Sequence, residues 1–137
     1  MPTIAQQTID AFEQMWGPFP EPVMLIHKNR TVLAANQLAR AAGIQTETKC
    51  FSYNPEGAKG CSKGCQAAVA LREHRTVITD GEKNGTPIRG YWMPLAEAPD
   101  LYVHFGIGLA ESMGIAPHPV LAVATLAPAQ DLVQLSH

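Results

Sequence analysis

The chain has 137 residues, 46% of them hydrophobic and 16% charged, with ten basic and twelve acidic side chains giving a net charge of −2. That length suits one domain with one core. No basic cluster marks a nucleic-acid interface, and no apolar run is long enough to cross a bilayer. The low charge fraction leaves much neutral surface, which points to self-association.

Residues 3 to 16 read as a helix, with Ile4, Ile9, Phe12 and Trp16 near one side and Thr3 as cap. Gly17-Pro18 ends it, and Pro20 and Pro22 keep the following residues extended. The start MPTIAQQTIDAFEQ has no basic region leading into an apolar stretch, so a signal peptide is not expected and the protein is placed in the cytoplasm. Val23 to His27 and Thr31 to Ala34 form two strands around the turn Lys28-Asn29-Arg30. Asn36 caps a short helix, Gln37 to Ala42, closed by Gly43.

A loop over residues 49–61 leads into a helix from Ser62 to His74. Arg75 to Glu82 and Thr86 to Leu95 are strands joined by an Asn84-Gly85 hairpin turn, with Pro87 at an edge or a strand start. Leu101 to Leu109 is the last strand. Leu101, Val103, Phe105, Ile107 and Leu109 share one face, and Tyr102, His104, Gly106 and Gly108 share the other. The two glycines leave that second face bare, as close packing requires. The tail 111–137 is apolar and broken by Pro117, Pro119 and Pro128, with a strand at Val120 to Leu126 and a helical turn at Asp131 to Leu135 as its expected elements. This order gives an α+β fold: a five-stranded antiparallel sheet with helices on one face and an N-terminal flanking helix.

All three cysteines, Cys50, Cys61 and Cys65, fall in KCFSYNPEGAKGCSKGCQ. An odd number argues against a secreted disulfide framework. Three readings stay open. The thiols are soft ligands for zinc or an iron–sulfur cluster, with a fourth donor from His27, His74, His104 or a partner subunit. They are a redox switch, pairing Cys61 with Cys65 or Cys50 with either. Or they are small buried core residues. Lys49, Lys59 and Lys63 would lower the thiol pKa values, and a first-turn position would do the same for Cys65. His27 and His104 are the histidines singled out, as a fourth ligand or a pH-sensitive contact. His74 reads as a helix-end residue. GAKGCSKG fits no phosphate-loop pattern, and no nucleophile–base constellation appears, so no catalytic residue is assigned.

VMLIHKNRTVLAANQLARAAG resembles the opening hairpin of a PAS domain, ending in the helix-starting asparagine Asn36, and TVITDGEKNGTPIRGYWMPLAEAPDLYVHFGIGLAE resembles its closing three-strand meander. KCFSYN followed by GCSKGC is similar to a bacterial PAS subgroup with a lysine-cysteine pair and two close cysteines before a helix, although Cys61 and Cys65 stand one residue farther apart than the usual Cys-x-x-Cys. The resemblance covers residues 18–110. It implies a dimerisation helix at 1–17, a sensory domain at 18–110 and an apolar tail at 111–137. It further implies a homodimer without enzymatic activity, signalling to a partner protein and taking a small-molecule ligand or a cysteine-held cofactor. Zinc or an Fe-S cluster leads that set, with haem or flavin behind. A structural or thiol-switch domain with no sensory ligand is the alternative.

Overall fold

The computed structural model describes residues 4–53, 64–116 and 121. Helix α1 (Ile4–Trp16) starts the chain. Ile9, Phe12 and Trp16 recur at helical spacing and turn toward the sheet, Phe12 fully buried and the other two partly so. The helix ends at Gly17, whose N–H bonds to the Glu13 carbonyl at 3.0 Å. A Cβ there would lie 2.7 Å from that same oxygen, so the close turn admits only glycine without a shift.

Five antiparallel strands follow: β1 (Val23–His27), β2 (Val32–Ala35), β3 (Val77–Lys83), β4 (Thr86–Pro94) and β5 (Leu101–Ile107). Their order is β2-β1-β5-β4-β3. The hairpin and the meander therefore close into one sheet through β1 and β5, in register from Val23 opposite Phe105 to His27 opposite Leu101. Asn84 and Gly85, at φ 52° and 81°, make the tight β3–β4 turn that their residue types favour. Pro87 lies near the start of β4, where the pairing tolerates it. The architecture is the PAS-like α+β arrangement expected from the sequence. Among the described residues no helix is long and apolar enough to cross a membrane.

Strand alternation gives the sheet two unlike faces. Val23, Leu25, Ala34, Leu101, Val103 and Phe105 pack under α1. Phe105 joins Trp16, Phe19 and Tyr91 in a run of ring contacts 4.8–5.5 Å between centroids. The opposite face carries Ile26, Trp92, Tyr102 and Val77, covered by Ala67 and Ala70 of α3 (Ala67–Glu73). The short helix α2 (Gln37–Ala41) adds Ala39 against Val32 and Ala35. The flanking helix and the other helices thus lie on opposite sides of the sheet.

Asn36 joins these parts. It is 1% exposed. Its Oδ1 accepts from Val23 N–H and Ala39 N–H, both at 3.0 Å. Its Nδ2 donates to the carbonyls of Trp16, Phe19 and Glu21 at 3.1, 3.2 and 2.8 Å. One carboxamide therefore caps α2, starts β1 and holds the end of α1.

The structure departs from expectation at several element boundaries. The helix expected from Ser62 begins at Ala67, with Gln66 as an N-cap that makes no side-chain bond, and Ser62 lies outside the described residues. Gly64, a poor helix former, stands just before this delayed start. The strand expected from Arg75 begins at Val77. The last strand stops at Ile107, because Gly108 takes φ 99° and opens a single helical turn, α4 (Leu109–Ser112). The buried Glu21 carboxylate holds that turn by accepting from Gly108 N–H at 2.7 Å and Ala110 N–H at 2.8 Å. Gly106 is bare for the expected reason: a Cβ there would approach Ile88 Cγ2 at 3.1 Å. The tail elements expected at Val120 to Leu126 and Asp131 to Leu135 lie outside the described residues, Leu121 apart.

Asn36→Ala is expected to lower unfolding free energy by about 3 kcal/mol, since it strands several buried groups at once. Asn36→Asp keeps the acceptor for Val23 and Ala39 but faces three carbonyls with no hydrogen to offer, and should also destabilise. Urea unfolding measures both. A wild-type midpoint for the aspartate variant would contradict this account.

Candidate functional site

The chemistry-bearing side chains gather on the α3 side of the sheet. Tyr102, on the central strand β5, is the largest fully buried side chain among the described residues, at 1% exposure. Cys50 and Cys65, fifteen positions apart, both pack against the cluster that contains it, and both are half-buried. Cys50 opens a 3-10 turn (Cys50–Tyr53) and donates its N–H to the Arg30 carbonyl at 2.8 Å. The neighbouring Thr31–Lys49 bridge fixes this segment against the edge of β2. Cys65 stands just ahead of α3. The Arg30 guanidinium lies 5.8 Å from the centre of the Tyr102 ring, a cation–π contact.

These neighbours act on the phenol. Burial pushes the Tyr102 pKa well above its usual value of 10.0. The neighbouring sulfurs of Cys50 and Cys65 push it the same way, while Arg30 pulls it down. Tyr102 is therefore a neutral phenol throughout the ordinary pH range. It offers the thiols a hydrogen-bonding partner inside an otherwise apolar cluster.

Not every feature assigned to the thiols from sequence survives. Cys65 precedes the helix, ahead of the Gln66 N-cap, rather than occupying its first turn. The Lys49 ammonium is bound to the β1–β2 turn, to the Asn29 carbonyl at 2.8 Å and Thr31 Oγ1 at 3.1 Å. Cys61, Lys59 and Lys63 lie outside the described residues. Among the described residues, no group of three His, Cys, Asp or Glu side chains is placed to hold a metal ion.

The structure separates the two histidines singled out from sequence. His27 is in phase with Val23 and Leu25, which pack under α1, and its Nδ1 accepts from Asn29 N–H at 3.1 Å, closing the β1–β2 turn. His104 is on the Tyr102 side, half-buried, stacked on Trp92 with 4.6 Å between ring centres. Its Nδ1 is 2.8 Å from the Tyr91 carbonyl. A carbonyl only accepts, so Nδ1 carries the proton and Nε2 of the neutral ring keeps its lone pair. Desolvation holds the His104 pKa below its usual 6.5, opposed by that backbone bond. His74 ends α3 as an exposed left-handed cap at φ 53°. Sequence reasoning missed Tyr102 and Arg30 as site members. The alternation of β5 placed Tyr102 on this face, but no local signal joins it to residues 30, 50 and 65.

No family model and no curated protein matches the chain. Among solved structures it is similar to the PAS domain of Bordetella pertussis BvgS, at 14% identity and a TM-score of 0.40, over 95% of this chain and 96% of that one.

The lowered His104 pKa sets a pH dependence. The unfolded chain takes up the proton first as pH falls, so the contribution of His104 to stability is complete above its ordinary value of 6.5 and is lost as pH drops toward the folded value. Titration of the His104 ring by NMR should give a midpoint below 6.5 and the Nδ1-protonated tautomer. Stability between pH 7 and 5 should fall less steeply in His104→Gln than in the wild type. A midpoint at or above the ordinary value would refute the assignment.

Proposed function

We propose that this chain is a sensory module, not an enzyme, whose sensing element is the thiol–phenol cluster at Tyr102. Its output passes to a partner protein through a homodimer. One observation carries the reading: Cys50 and Cys65 converge from separate segments on the same buried tyrosine. The sensed change is oxidation of the two thiols by a hydroperoxide. One S–S bond forms, the O–O bond breaks, and the two thiol protons leave with the oxygens as alcohol and water. The disulfide removes both thiols from beside Tyr102 and ties the 3-10 turn at the β2 edge to the start of α3. Two segments that meet at the same cluster then become covalently joined, and this is the displacement a partner reads.

Zinc or an iron–sulfur centre on Cys50, Cys61 and Cys65 is the second reading. The convergence of two soft donors favours it, and a fourth donor would have to come from elsewhere.

Anaerobic protein should lose two hydrogens on treatment with hydrogen peroxide and yield a Cys50–Cys65 crosslinked peptide. Cys50→Ser and Cys65→Ser should each abolish the crosslink, and Cys61→Ser should leave it. A crosslink that requires Cys61 instead, or none at all, overturns the switch. Stoichiometric zinc or iron that is lost in all three serine variants would replace it with the metal reading. Light scattering tests the dimer, and a monomer at every concentration removes that route of output.

A further inference from the structure

A groove of about 560 Å³ opens between the β1–β2 turn, the outer face of α3 and the β4–β5 loop. Lys28, Arg30, Arg72 and His74 line it, with Asp100 as the one carboxylate and Leu71 on its apolar floor. Lys28, Arg30 and Arg72 against Asp100 leave this wall at +2 with His74 neutral, on a chain whose net charge is −2. The inversion is local, and the cations come from two separate elements aimed at one concavity.

The walls are held. Lys28 N–H donates to the Asp100 carbonyl at 2.7 Å, and the two side chains pair at 3.5 Å, so the turn and the loop are joined. Arg30 is oriented by its contact with the Lys28 carbonyl and by the Tyr102 ring beneath it. Arg72 shares the Glu73 carboxylate, at 3.4 Å, with Arg75, which is nearer at 2.8 Å. Both pairs are exposed and weak, so an incoming anion competes with them at little cost.

We propose that this groove binds a small organic carboxylate with an apolar body. A planar carboxylate matches the guanidinium fork. The floor of Leu71, Ala68 and Pro99 adds what inorganic phosphate cannot use. The bound anion would bridge Arg30 and Arg72, drawing the β1–β2 turn and α3 together from outside. Because Arg30 also covers Tyr102, the groove has a direct contact with the cluster below. Binding itself needs no thiol chemistry, so its failure and that of the thiol switch are separable.

Phenylacetate, inorganic phosphate and the neutral 2-phenylethanol are titrated into isotope-labelled protein up to about 20 mM, a range that reaches the weakest specific binding. Phenylacetate should shift the amides of Arg30, Leu71 and Arg72 saturably, and the other two probes should bind at least about tenfold more weakly. Arg72→Gln should weaken phenylacetate by about tenfold or more, a loss typical of a charged hydrogen bond. Arg89→Gln, on β4 and outside the groove, should not. Equal binding of phosphate or of the alcohol overturns the organic-acid assignment. Absence of a saturable shift at these residues, or a shift unchanged in Arg72→Gln, overturns the site.

Discussion

The fold turns on a buried carboxamide that must serve both as donor and as acceptor. Asn36 stands where α1 ends, β1 begins and α2 begins, and all three meet with backbone groups that no ladder or helix satisfies. Only an asparagine side chain of that reach answers N–H groups with one end and carbonyls with the other. Glu21 does comparable work at the far end of β5, where its carboxylate receives two N–H groups of the α4 turn. The link from α1 to β1, residues 17–22, is short and carries Pro18, Pro20 and Pro22. The flanking helix is therefore bonded to the sheet by backbone accounting as well as by its aromatic contacts.

The two faces of the sheet divide the chemistry. The α1 face is filled by large apolar rings in mutual contact, which leaves little that titrates or reacts. The α3 face uses small residues, Ala67 and Ala70, against the sheet, and carries a phenol, two thiols packed beside it and an imidazole stacked on Trp92. Alanine brings α3 close to the strands.

What the sequence disclosed was periodic or local. Alternation in LYVHFGI assigned every residue of β5 to its face, and Asn84-Gly85 located the hairpin turn. Asn36 was legible as a cap, but the three carbonyls on its Nδ2 belong to residues up to twenty positions away and have no local signature. The start of α3 was placed too early because Ser62 is a good cap in isolation, while the observed helix begins after Gly64 with no side-chain cap at all. The site followed the same rule. The cysteines were conspicuous as residue types, but Tyr102 and Arg30 joined them only through the sheet order, since β5 must come to lie beside β1 before residue 102 meets residues 30 and 50.

That topological step also explains why Arg30 matters. It sits in the β1–β2 turn at φ 76°, a left-handed conformation that a long side chain adopts at some cost and that aims it back over the sheet. Its carbonyl receives the Cys50 N–H, its guanidinium bonds the Lys28 carbonyl, and the same group covers the Tyr102 ring. One residue thus contacts the thiol segment through its backbone and both the phenol and the basic groove through its side chain. A ligand in the groove and a bond between the thiols would pull on the same turn from opposite sides. Coupling between them needs no longer path than Arg30 itself.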